Sequence, residues 1–297
     1  MSLQRRTRDR IFGYSLLVPA LLLLTLIIII PLTEAIGYSF TKTSLISFTK
    51  HEFIGLQNYQ KLFRDPDYWL VLKNTVFIVF TSVFISLVIG VILALILDNS
   101  SGLNLLRGLL IIPWLIPGVV IGIVWKWVLA TEAGIFNFIL RKVGILESNF
   151  PFLSDQTVSP WVVVLVFVWA SVPYILVTTL AGLKAVPQDL EEAAIIDGAN
   201  FRQRFFSIVV PIILPVVSIA VILRIIYTMQ DFAIIFSLTQ GGPGNATETF
   251  VLHVYKTAFN SAQIGMACAI GVTWLVFLLV FVVSYFKLMN INEKRMN

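Results

Sequence analysis

The sequence predicts an all-α membrane bundle of six transmembrane helices, and three observations predict it. The 297-residue chain is 58% hydrophobic and only 12% charged, with a mean hydropathy of +0.91, more apolar than a soluble domain of this size needs to be. Six apolar runs, at about 11–33, 74–97, 105–129, 160–183, 208–236 and 264–287, each supply the ~20 residues that a helix needs to cross roughly 30 Å of hydrocarbon. The basic residues gather at the ends of these runs, so the formal charge of +5 reads as membrane topology and not as nucleic-acid binding. The single cysteine, Cys268, lies in an apolar run and excludes an internal disulfide.

The chain divides into a cytoplasmic N-terminus (1–10), a first span with its outer segment (11–73), a core of five spans (74–287) that includes a polar loop at about 184–207, and a cytoplasmic C-terminus (288–297). The first run follows Arg5, Arg6, Arg8 and Arg10 like a signal peptide. Its apolar core is too long, however, and no small-x-small cleavage site follows Pro31, so it reads as a retained anchor. Orientation follows from the same charges. Four arginines precede the first span, and Lys287, Lys294 and Arg295 follow the last. Both ends of an even-numbered bundle therefore lie on the cytoplasmic side, with the loops after spans two and four.

The outer segment, about 37–73, carries Lys42, Lys50, Lys61, Arg64 and Lys73 against that bias. Its Tyr59, Phe63, Tyr68 and Trp69 are spaced for an amphipathic helix or turn anchored at the membrane surface. In the third run, Arg107 to Trp125 at about 1.5 Å per residue reaches roughly 28 Å, one bilayer. Lys126, between Trp125 and Trp127, then sits at an interface, and Pro113, Pro117, Gly118 and Gly122 are expected to bend or loosen that helix. The fourth span carries Trp169, Ser171, Pro173, Tyr174, Thr178 and Thr179. A kink at Pro173 is expected, and small polar groups such as Ser171 more often bond to neighbouring helices than to a ligand.

The loop after span four, Leu190 to Pro215, reads as two short helices and a turn. Pro187 suits a first helical position, and Asp189, Glu191 and Glu192 place negative charge at the favourable end of the helix dipole. Gly198 is placed to end the helix in the left-handed conformation. Asn200 and Gln203 have capping-box spacing for the second helix, where Phe201, Phe205 and Ile208 share one face with Arg202 and Arg204 turned elsewhere. Such a hairpin fits a groove of another protein; it fits equally a loop lying on lipid headgroups.

In the fifth run, Arg224 lies near the middle, followed by Tyr227, Thr228 and Asp231 on one stripe with Gln230 beside them. An arginine at bilayer depth costs a few kcal/mol and faces protein or water. A structural pairing of Arg224 with Asp231 or with another helix is one reading, although two turns, about 10 Å, separate the two residues. The other is a stripe lining a path for a hydroxyl-rich solute, joined by Tyr174. The Gly-rich segment Gln240-Gly241-Gly242-Pro243-Gly244 lacks the Lys-Ser/Thr of a nucleotide loop and reads as a turn.

Glu192-Ala193-Ala194, Asp197-Gly198-Ala199, Phe205, Ile208, Pro211 and Pro215, about a hundred residues before the end of the sequence, resemble the EAA loop of ABC-importer permeases. The QGGP block with Asn245, Thr247, Tyr255 and Phe259, and the outer segment with its Tyr59 block, resemble the first of the two permeases of maltose-type carbohydrate importers. The resemblance implies the MetI-like architecture and a coupling role for Glu191, Glu192, Ala193, Ala194, Asp197, Gly198, Ala199, Arg202 and Phe205 against a cytoplasmic ATP-binding subunit. It also implies a second homologous permease subunit, two ATP-binding subunits, an extracytoplasmic solute-binding protein, a sugar-like substrate and a place in the bacterial inner membrane, with neither cofactor nor metal on this chain. The loop at about 130–159 is short beside the larger maltose permease, so the geometry of solute delivery is not carried over.

Rival classes find less support. Nothing in the sequence resembles a Walker motif, so any ATP-driven work would come from a partner. An intramembrane protease needs a GxSx serine and a histidine at membrane depth, whereas His51 and His253 lie outside spans or at their margins. Haem or metal redox work lacks intramembrane ligands. A stand-alone secondary transporter, the nearer rival, is expected to show inverted repeats with paired broken helices, and no clear internal repeat is visible. A polyol or glycerol phosphate ester suits the Arg224 stripe as well as a di- or oligosaccharide does.

Overall fold

The computed structural model describes residues 2–47, 51–98 and 102–296. Lys50 lies outside the described residues, as do the side chains of Arg5, Arg6, Arg8, Arg10, Lys294 and Arg295 used in the orientation argument. In chain order the elements are α1 (Ser2–Leu24), a π-helical turn Thr25–Ile29, α2 (Ile30–Ser39), β1 (Thr41–Lys42), β2 (Glu52–Phe53), α3 (Gln57–Arg64), α4 (Pro66–Asp98), α5 (Asn104–Leu115) and α6 (Gly118–Val128). They continue as α7 (Ile135–Lys142), α8 (Ser159–Leu183), α9 (Gln188–Ile196), α10 (Phe201–Arg204), a second π turn Phe205–Val209, α11 (Val210–Met229), α12 (Ala233–Leu238), α13 (Phe250–Tyr255), a third π turn Lys256–Asn260 and α14 (Ile264–Met296).

Among the described residues five helices are long and apolar enough to cross a membrane: Tyr14–Ser39, Pro66–Asp98, Ser159–Leu183, Phe201–Met229 and Ile264–Lys287. The third expected span is different. Leu105–Leu115 and Gly118–Val128 meet at 101°, so their lengths do not add to one straight crossing, and the count reaches six only if the bent pair is one span. The cause is local: Ile116, forced out of the helical region by the proline ring that follows it, is extended at φ −81°, ψ 131°. The fifth run also departs from expectation. Its helix ends at Met229 rather than at 236, because the Asp231 carboxylate takes the N–H of Ile234 at 2.9 Å and starts α12 instead. Arg224 is thus in the last two turns of its helix, not near the middle. By contrast α8 passes through Pro173, and α11 through Pro215, without interruption.

The chain forms two compact units, Met1–Asp65 with Val254–Phe277 and Pro66–His253 with Leu278–Asn297. In the first, no side chain in the most apolar window of Tyr14–Ser39 is buried, as on a helix bathed in hydrocarbon. The outer segment is more ordered than a surface anchor. β1 and β2 pair antiparallel with Thr41 opposite Phe53. Asn58 of α3 is buried and donates to the carbonyls of Ser39 and Thr41, both at 2.9 Å. Tyr59 meets the Ser39 hydroxyl at 2.7 Å, and backbone bonds from Leu45 to Ala262 and from Gly265 to Thr43 tie in the turn before α14.

In the second unit α8 is the central helix, packed by α4, α5, α6 and α11, while α12 packs on α6. Tyr68, expected at the membrane surface, is buried edge-on to Phe250, with ring centroids 5.4 Å apart. Phe77 on α4 and Trp161 on α8 meet at 4.9 Å, and at the other ends of those helices Asp98, the last residue of α4, pairs with Lys184, just past α8, at 2.9 Å. The two helices therefore run in the same direction. Ala94, Leu97, Leu176, Leu183, Val209, Ile213 and Val217 form one apolar cluster, which brings the start of α11 to that same end. α6 and α12 approach through small residues: a Cβ on Gly122 would fall 1.9 Å from the Ser237 hydroxyl. Gly118 and Gly122, four apart, face Ala233 and Ser237, also four apart, the small-xxx-small pattern of close membrane-helix packing.

Candidate functional site

Two sites follow from these elements, both within the second unit. The first is the hairpin beyond α8. Pro187 is the cap residue before α9 and not its first helical residue. The helix ends as expected at Gly198, whose φ of +80° is open to glycine at no steric cost. The Gly198 N–H reaches the Ile195 carbonyl at 3.0 Å, and the Ala199 N–H reaches Ala194 at 2.9 Å. This pair of bonds is the Schellman closure of a helix C-terminus. Asn200 then accepts the Gln203 N–H, and the Gln203 side chain accepts the Asn200 N–H, completing the capping box.

A turn closed at both edges fixes what the hairpin presents. Glu192, Ala193, Asp197 and Arg202 are exposed, while Glu191, Ala194 and Ala199 are half-buried. Ile196 is 85% exposed, and Ile195, Phe201 and Phe206 are exposed as well, so the hairpin carries an apolar surface this chain does not cover. Phe205 does the opposite and packs against the apolar cluster at the α4–α8 end. Phe201 stacks on it with centroids 6.0 Å apart. Arg204 does not turn away: it lines one cleft with Phe201, Phe205, Glu191 and Asp98, and a second with Asp197, Gln203 and Ile208.

The second site is a cavity of about 360 Å³ lined by Trp114, Tyr174, Leu223, Arg224, Tyr227 and Asp231, within the range of small-molecule sites. Each break in the fold contributes to it. Trp114 stands just before the α5–α6 bend, Asp231 in the α11–α12 break, and Tyr174 comes from the central helix. Trp114 and Tyr174 form a tilted ring pair with centroids 5.6 Å apart, and Tyr227 is largely exposed. The Arg224 Nε donates to the Ser171 hydroxyl at 2.7 Å. Among the described residues Arg224 and Asp231 form no ion pair.

Of the six stripe residues, four thus come together: Tyr174, Arg224, Tyr227 and Asp231. Thr228 is buried and returns its hydroxyl to the Arg224 carbonyl at 2.9 Å. Gln230 ends the helix through its backbone, with its side chain exposed away from the cavity lining. The sequence reading missed Trp114, whose only signal is an aromatic side chain beside a proline break, and it set Ser171 aside. The Gln240–Thr247 segment is a self-closed turn in which Thr247 meets the Thr239 hydroxyl at 2.7 Å and the Gly242 carbonyl at 2.8 Å.

Residues 86–297 match the model of the binding-protein-dependent transport system inner membrane component family. The chain belongs to this family. It is a permease of the ABC-importer type, as the EAA and QGGP segments implied, and a multi-pass membrane protein. This permease is 34% identical over 281 residues to the trehalose/maltose transport system permease protein MalF of Thermococcus litoralis, covering 94% of each chain. It is 32% identical over 289 residues to the sulfoquinovosyl glycerol transport system permease protein SmoG of Agrobacterium fabrum, covering 96% of this chain and 92% of that one. Its fold matches the crystal structure of a bacterial ABC transporter involved in alginate import, with a TM-score of 0.82 at 19% identity over 97% of this chain and 98% of the other.

Proposed function

We propose that this permease is one of two membrane subunits of an ATP-driven, binding-protein-dependent importer of a di- or oligosaccharide, and that hydrolysis belongs to a partner. The α9–α10 hairpin carries the reading. A turn held at once by a Schellman closure and a capping box transmits force with little loss. The exposed Ile195, Ile196 and Phe201 beside it offer an ATP-binding subunit an apolar footing, ringed by Glu192, Asp197 and Arg202. The parallel run of α4 and α8 puts the loops that follow them at one end of the second unit, which supports a cytoplasmic hairpin and, with an even number of crossings, cytoplasmic termini.

The 360 Å³ cavity is the proposed contribution to the translocation path. Trp114, Tyr174 and Tyr227 supply ring faces, and Arg224 and Asp231 supply a donor and an acceptor for hydroxyl groups. The two relatives' names support a saccharide-like solute. A polyol or a glycerol phosphate ester is the second reading: the Arg224 guanidinium suits an anionic ester, and Asp231, which lines the same cavity, offsets its charge. A second permease, two ATP-binding subunits and an extracytoplasmic binding protein complete the proposed assembly, in which no cofactor resides on this chain.

The test is site-directed cross-linking. A cysteine at Ile196 is expected to bond to a cysteine on the companion ATP-binding subunit in membranes, more strongly in one nucleotide state than in another. Labelling of Ile196 only by membrane-impermeant reagents from outside the cell contradicts the reading.

A further inference from the structure

Ser171 is 1% exposed and cannot touch a solute, yet its hydroxyl is fully engaged at the edge of the cavity. It donates to the Phe167 carbonyl one turn back on α8 and accepts the Arg224 Nε–H at 2.7 Å. With its one proton spent on Phe167, the oxygen faces Arg224 as an acceptor only. On the other side of the bond, Arg224 has given up its Nε–H, which fixes the plane of the guanidinium and leaves the four terminal N–H donors as a fork. Arg224 lines the cavity together with Tyr174, which follows Ser171 by three residues and so lies on the same face of α8.

We infer that Ser171 is a positioning residue for solute recognition, holding the Arg224 fork in one orientation towards the cavity so that it meets two neighbouring oxygens of a polyhydroxylated solute at once. The inference rests on the reading of the cavity as part of the path. It differs from ordinary helix–helix adhesion in what it requires: a planar side chain with an Nε–H on α11 and an acceptor on α8. Lysine supplies neither the plane nor the Nε–H.

The experiment uses the whole transporter, reconstituted with its companion subunits and binding protein. The probe is whichever of maltose, trehalose and sulfoquinovosyl glycerol the wild-type assembly accumulates. Ser171→Ala is expected to raise the apparent KM for uptake about tenfold with the maximal rate within about twofold, a shift of roughly 1.4 kcal/mol in solute recognition. Ser171→Thr, which keeps the acceptor, restores KM, and Ser171→Ala adds nothing in an Arg224→Ala background. A readout that needs no solute runs beside it: in nanodiscs with 15N-arginine, the Arg224 Nε–H, assigned by its loss in Arg224→Lys, exchanges slowly with solvent and at least tenfold faster in Ser171→Ala. A Ser171→Ala transporter with wild-type KM, one that changes only the amount of assembled complex, or an Nε–H indifferent to the substitution overturns the inference. Undiminished uptake by Arg224→Ala overturns the reading of the cavity itself, and the role of Ser171 with it.

Discussion

Asn200 and Gln203 hold each other's backbone: the Asn200 side chain accepts the Gln203 N–H at 3.0 Å, and the Gln203 side chain accepts the Asn200 N–H at 2.8 Å. These bonds satisfy two helix-end donors that would otherwise face solvent, two residues beyond a glycine that closes the preceding helix. Asn200→Ala is expected to cost about 1 kcal/mol of local order, read as faster amide exchange at 201–204 with the spans unchanged. In the assembled transporter, ATP hydrolysis should persist while the solute moved per ATP falls.

Gly198 poses a purer conformational test. Nothing lies within 4 Å of the position a Cβ would take, so a substitution there strains the backbone without a clash. Gly198→Ala is expected to cost about 1–2 kcal/mol from the left-handed conformation alone. Gly198→Val costs more, because a branched side chain resists that region further. Binding of the companion ATP-binding subunit, measured by co-purification, should weaken in the order glycine, alanine, valine; equal retention by all three would deny the turn its coupling role.

Packing of α6 on α12 depends on the absence of a side chain at Gly122. Gly122→Leu forces a side chain against Ser237 and against the Ile234 carbonyl, which lies 2.9 Å from the Cβ position. Overpacking of this kind costs about 1–3 kcal/mol, visible as a lowered melting temperature in detergent. Gly122→Ala combined with Ser237→Gly should recover part of the Gly122→Ala loss, since the nearer obstacle is the serine hydroxyl.

The Asp98–Lys184 pair is expected to matter little. Its lysine side chain is 69% exposed, where ion pairs are worth about 0–1 kcal/mol. Lys184→Ala should leave melting within a degree or two and uptake unchanged.

Hydrophobic run length sufficed to read where most of the spans lie, and local rules sufficed for the hairpin. Gly198, Asn200 and Gln203 act through bonds to residues three to five away, so their geometry is written in the sequence. What the sequence did not disclose was set by competition between local and regional preferences. The bend at Ile116 falls where Pro117 and Gly118 were expected to bend the helix; what hydropathy does not register is its sharpness, 101°. The end of α11 at Met229 arises because the Asp231 side chain starts a new helix inside a stretch that remains apolar to 236. Arg224 and Ser171 lie fifty-three residues apart in sequence; only the packing of α11 on α8 reveals that they meet.

The most direct measurement is solute uptake into proteoliposomes made with this permease and its companion permease, with and without the ATP-binding subunits and internal ATP. The account predicts accumulation only when both the ATP-binding subunits and ATP are present, and its loss when the Gly198 turn is blocked. Accumulation at full rate by the membrane subunits alone would contradict it.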